Sequence, residues 1–84
     1  MLNNKEFPEI KQNTIDTLNN YVTKGWEPGS FCRAVLENNL MQAFGRADKE
    51  NRATLFEICS YVYNELPIAC HGSEEKVRNW LARF

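Results

Sequence analysis

Asp48-Lys49-Glu50-Asn51-Arg52-Ala53-Thr54-Leu55-Phe56-Glu57-Ile58-Cys59-Ser60-Tyr61-Val62-Tyr63-Asn64-Glu65-Leu66-Pro67 begins with a residue that caps helices and ends with one that cannot continue them. Between these signals Leu55, Cys59, Val62 and Leu66 fall at i, i+4, i+7 and i+11, the spacing of a stripe buried on one side of a helix. The spacing predicts one helix over about residues 49–66, the longest of the chain. Tyr61 lies off that stripe and is expected at a surface or subunit contact.

On the N-terminal side, Leu40, Phe44 and Ala47 recur at helical spacing and predict a short helix over 40–47, separated from its predecessor by Asn38 and Asn39. A second helix from Phe31 to about Asn38 packs Phe31, Val35 and Leu36 inward, with Ser30 as its cap. The first helix is expected over 14–24, capped by Asn13 or Thr14, with Ile15, Leu18 and Val22 on its inner face and Gly25 at its end. Trp26-Glu27-Pro28-Gly29 reads as a tight turn. Beyond Pro67, Ser73 caps a last helix on which Val77, Trp80, Leu81 and Phe84 share a face. No alternating strand pattern, repeat or low-complexity tract interrupts this series. The fold class is therefore all-α: a compact bundle of four to five short helices in a single domain over residues 1–84, with residues 1–8 as a flexible arm pinned by Phe7.

Composition narrows the function. A domain of 84 residues buries about 60 to 65% of the surface its unfolded chain exposes, so its core is thin and self-association would extend it. Hydrophobic residues at 43% and charged residues at 25% are globular values. The net charge of -1 offers no general attraction to a polyanion, which makes duplex DNA a poor partner. Neither a membrane-spanning run nor a signal peptide is present, and three cysteines without a close-spaced pair fit a reduced, cytoplasmic setting. Cys32, Cys59, Cys70 and His71 lack the Cys-x-x-Cys spacing of structural zinc sites, and Cys59 sits on the predicted buried stripe. The expectation is no metal, no cofactor and no catalysis.

Two clusters suggest ligand binding. The first turn of the second helix, Phe31-Cys32-Arg33, contains no acid to balance the positive end of the helix, so the amides of Gly29 and Ser30 beside Arg33 would suit an anion. An Arg33–Glu37 pair one turn apart is the plainer alternative. The second cluster places Asn39, Gln42 and Arg46 on one face of the third helix, with Asn51 and Arg52 following, and Asp48 placed to orient Arg52. Amide and guanidinium groups of this kind recognise phosphates and nucleobase edges in paired hydrogen bonds, although an exposed polar face or an interhelical network explains them equally well. Arg33 and Arg46 would converge if the second and third helices fold back on each other. Tyr61 and Trp80 are the residues expected at an interface.

The order Tyr21-Val22, Gly25, Pro28-Gly29-Ser30-Phe31, Ala34-Val35-Leu36, Asn38, Leu40, Arg46-Ala47-Asp48, Tyr63-Asn64, Pro67, Gly72-Ser73 and Trp80 resembles short uncharacterised all-helical proteins of tailed phages and prophages over roughly residues 15 to 81. The resemblance carries no activity. It implies a small accessory protein acting inside the host cell by binding, commonly in counter-defence. Joined to the polar clusters, it leads to the expectation of a homo-oligomeric sponge for a nucleotide immune signal. The alternative is a stoichiometric protein inhibitor or adaptor of a host immune protein, acting through an apolar patch near Tyr61 and Trp80. A small DNA-binding regulator ranks third.

Overall fold

The computed structural model describes residues 7–84, and these form helices and turns only. The helices are α1 (Gln12–Lys24), α2 (Gly29–Leu36), α3 (Leu40–Arg46), α4 (Lys49–Ala53), α5 (Leu55–Glu65) and α6 (Glu74–Leu81), with one 3-10 turn, Ile68–Cys70, between α5 and α6. None of them is long and apolar enough to cross a membrane. Of the arm expected over residues 1–8, residues 1–6 lie outside the described residues. Phe7 packs edge-on against Tyr61, with ring centroids 5.1 Å apart, and its carbonyl accepts the Ile10 amide, so the chain is anchored before α1 begins.

The all-α class holds, but the segment 49–66 is two helices. Thr54 breaks it. In a continuous helix the Thr54 amide would bond to the Glu50 carbonyl; here the Thr54 hydroxyl donates to that carbonyl at 3.0 Å while its backbone turns to φ -116°, ψ 21°. The buried stripe of α5 is correspondingly rotated from the expected one. Ile58, Tyr61 and Val62 face the core with Leu66, whereas Leu55 and Cys59 are half-buried. Tyr61, expected at the surface, is 1% exposed.

Helix ends follow local chemistry, with corrections at α1 and α2. Lys11 precedes α1 and makes no side-chain cap; Thr14, expected as a cap, instead points inward and donates to Asn51 Oδ1 at 2.7 Å. Gly25 closes α1 at φ 69°, a left-handed position in which the Gly25 amide bonds to the Tyr21 carbonyl. The following residues run irregularly rather than as a tight turn, and α2 starts at Gly29, so Ser30 lies inside the helix and caps nothing. At its other end α2 closes in a Schellman motif: Asn38 takes φ 64°, its amide bonds to Val35, and the Asn39 amide bonds to Ala34. Asn tolerates this conformation better than any other residue except Gly.

α3 then runs back along α2, so that Arg46 at its end reaches the Ser30 carbonyl at 3.5 Å. Its buried residue is Ala43 rather than Leu40 and Phe44, which are both at least half exposed, and it ends at Arg46, leaving Ala47 buried just beyond it. Small residues let the two helices approach closely, and the larger ones are displaced outward. The core gathers Ile10, Ile15, Leu18, Tyr21, Leu36, Ile58, Cys70 and Val77. Three hydrogen bonds lock the α5–α6 connection and α6 itself to the other helices. Tyr21 Oη donates to the Cys70 carbonyl at 2.7 Å, the Gly72 amide to the Leu36 carbonyl at 2.7 Å, and Trp80 Nε1 to the Tyr21 carbonyl at 3.3 Å.

Candidate functional site

The polar residues expected to bind a ligand are largely engaged inside the chain. Arg33 Nε donates to Glu37 at 2.8 Å and Arg33 Nη1 to Glu27 at 2.6 Å, so one guanidinium sits between two carboxylates. The expected uncompensated charge at the start of α2 is therefore absent. Glu37 is the partner visible at i+4, and Glu27 is carried to Arg33 by the irregular segment before α2. Arg46 is held at the Ser30 carbonyl, so the two guanidinium groups serve different partners even though α2 and α3 do fold back on each other.

Asn39 is the cap of α3, its Oδ1 accepting the Gln42 amide at 3.3 Å, and the Gln42 side chain is exposed. Asn51 is 8% exposed and its Oδ1 is taken by Thr14. Arg52 donates to the Ala47 carbonyl at 3.3 Å and lies 5.4 Å from the centre of the Phe44 ring. Asp48 does not orient it: Asp48 caps α4 through the Asn51 amide and pairs with Lys11. A hollow of about 290 Å³ does open at the start of α2, lined by Lys11, Asn13, Thr17, Gly29 and Ser30 among others. Of the expected ligand residues it gathers Gly29, Ser30 and the already engaged Asn51, and none of the arginines.

Trp80, the other expected interface residue, is half-buried, with its indole N–H used by the Tyr21 carbonyl and the Arg83 guanidinium 4.1 Å from its ring centre. Cys32 and Cys70 are buried, and burial pushes their thiols up to about 12 and about 11. Both stay protonated at neutral pH and are poor nucleophiles. Among the described residues no group of three or more His, Cys, Asp or Glu is placed to hold a metal ion.

The larger concavity lies elsewhere. A groove of about 590 Å³ runs between α5, the 3-10 turn and the start of α6, with Val35 and Asn38 from the end of α2 closing one side. Its size falls within the range of ligand-binding clefts. Val35, Cys59 and Val62 line its apolar floor, and Phe56, Tyr63 and Ile68 stand out at its rim, 80%, 78% and 78% exposed. Large side chains so exposed are costly unless something covers them, and aromatic anchors of this kind dominate protein interfaces.

The groove's charge is one-sided. Its lining contains Lys76 and His71 and no carboxylate. Lys76 is exposed and makes no ion pair among the described residues. His71 has its pKa lowered, chiefly by burial and further by Lys76, against the opposing effect of a hydrogen bond to the Leu66 backbone. Nε2 of His71 is shielded and unpartnered among the described residues. The groove's apolar residues come from α5, the 3-10 turn and the end of α2, and no polar motif marks them in the sequence. One signal was present: Phe56 and Tyr63, seven residues apart, lie together on the side of α5 away from Ile58 and Tyr61. Compared with protein-family models, curated proteins and solved structures, the chain matches none.

Proposed function

We propose that this chain is a small non-enzymatic binding protein that acts by covering a site on another protein, as a stoichiometric inhibitor or adaptor, with the groove between α5 and α6 as its recognition face. The observation that carries this reading is the presentation of Phe56, Tyr63 and Ile68 around one apolar groove, while Arg33, Asn51 and Arg52 are spent on contacts within the fold. Three protruding apolar anchors around a cleft are what a protein partner buries; a polar metabolite gains little from them. The phage resemblance supplies a setting, counter-defence against a bacterial immune protein in the host cytoplasm. Immobilised wild-type chain is expected to retain one dominant bacterial protein near equimolar yield. Arg33→Ala should retain it equally and Tyr63→Asp should lose it, and the opposite pattern would reject the groove as the recognition face.

A nucleotide sponge is the second reading, favoured by the hollow at the start of α2, where Gly29 and Ser30 begin a helix with no acidic residue in its first turn; Lys11 in its lining is paired with Asp48, which lines the same hollow, and an anion would have to compete with that carboxylate. Calorimetric titration with a panel of cyclic and linear nucleotides tests it. Heat of binding that is lost in Lys11→Ala would favour it over the protein-binding reading, as would a ligand-dependent oligomer, and a flat response across the panel would remove it.

A further inference from the structure

We infer that the groove between α5 and α6 receives a short segment of a partner protein in which one or two large apolar side chains are flanked by an Asp or Glu carboxylate, the apolar part resting among Phe56, Tyr63 and Ile68 and the carboxylate on Lys76. The inference rests on the reading of this groove as a recognition face and adds the chemistry of what it takes.

The argument is one of complementarity. Apolar side chains of the partner cover the rim and floor, which supplies affinity in proportion to the area removed from water. Among the described residues lining the groove, Lys76 carries the one fixed charge, since the lowered pKa of His71 leaves that ring neutral at pH 7 and its Nε2 is shielded from any incoming group. No carboxylate lines the groove to neutralise Lys76 or to attract a basic segment. The remaining polar lining, Asn38, Ser60 and Asn64, is uncharged, and Asn64 Nδ2 already donates to the Ser60 carbonyl at 2.9 Å. A basic apolar segment would bring its charge against Lys76 with no carboxylate in the groove lining to receive it, Glu74 and Glu75 lying outside that lining; an acidic one gains both steering and a partner for the ammonium group. A second copy of the chain fits less well. The groove's own rim is apolar and carries Lys76, so a symmetric contact through this face would set the same cation against itself.

A displayed library of 12-residue peptides selected on the full chain tests this. Enriched peptides are expected to share Leu, Phe or Trp anchors with a neighbouring Asp or Glu. Their affinity should fall on the order of tenfold in Lys76→Glu, and peptides with that acid changed to Lys should regain it in the same variant. Circular dichroism confirms that Lys76→Glu and Tyr63→Asp remain helical. Peptides that depend on Tyr63 but show no charge preference, or that carry Lys or Arg and bind Lys76→Glu better, would overturn the inference and leave the recognition face standing. Selection that yields only peptides indifferent to Tyr63→Asp, or no peptide at all, would overturn both. So would light scattering that shows a dimer converted to monomer by Tyr63→Asp, because a second copy would then be the occupant.

Discussion

Two buried tyrosines make opposite predictions from the same chemical change. Tyr21 is fully buried and its hydroxyl donates to the Cys70 carbonyl at 2.7 Å, which ties α1 to the 3-10 turn beneath the groove. Tyr21→Phe keeps the ring and removes the donor, leaving a buried carbonyl short of a partner at a cost of about 1–3 kcal/mol. For a domain of this length each kcal/mol moves the melting temperature by about 4–8 °C, so a fall of about 4–24 °C is expected by calorimetry or thermal circular dichroism. Tyr61 is 1% exposed and its hydroxyl has no hydrogen-bond partner among the described residues. Tyr61→Phe therefore removes an unsatisfied buried group, and its melting temperature should equal or exceed that of the wild type. Tyr21→Phe should also loosen the segment that carries Ile68 and His71, read as faster hydrogen exchange there. Equal destabilisation by both substitutions would refute the reasoning, since it would mean that the Tyr21 bond contributes nothing specific.

Three further outcomes follow from the packing. Asn38→Gly should match or slightly exceed wild-type stability, while Asn38→Val should cost about 1–2 kcal/mol in urea unfolding, because a β-branched residue is strained at φ 64°. Thr14→Val strands Asn51 Oδ1 in a buried position and should cost about 1–3 kcal/mol; the double variant Thr14→Val with Asn51→Leu should cost less than the sum of the two single changes. His71 has a folded pKa below its ordinary 6.5, so the unfolded chain binds more protons between the two values. Stability is fully present above pH 6.5 and declines as the pH falls from 6.5 toward the folded pKa. Denaturant midpoints measured from pH 7.5 to 5.5 should show this decline, and His71→Gln should flatten it.

Helix identity was well encoded locally. Asp48 and Ser73 cap as their side chains suggest, Gly25 and Pro67 end helices, and Asn38 with Asn39 divides α2 from α3. What escaped the sequence was rotation and partnership. The helix breaks at Thr54, whose backbone leaves helical geometry, and beyond the break α5 turns Ile58 and Tyr61 inward, which periodicity over an unbroken helix does not show. In α3 the small Ala43 takes the inner position, and Leu40 and Phe44 stay outside although their spacing marks an inner face. The polar cluster misled for a related reason. Arg33 shows one acid at i+4, but its second acid, Glu27, arrives through an irregular segment, and Asn51 meets Thr14 across 37 residues. The core of α1 and α5 is filled by Tyr21 and Tyr61, and Phe56 and Tyr63 remain outside, a division of aromatics that composition does not reveal.

The measurement that bears most directly on the groove as recognition face is an amide 15N–1H titration of the labelled chain with the best-enriched acidic apolar peptide. Shifts confined to Ser60, Tyr63, Asn64, Ile68, Gly72, Lys76 and their neighbours are predicted, with Gly29, Ser30 and Arg46 unmoved. Shifts concentrated at the start of α2 and along α3, with the α5–α6 amides unchanged, would contradict it.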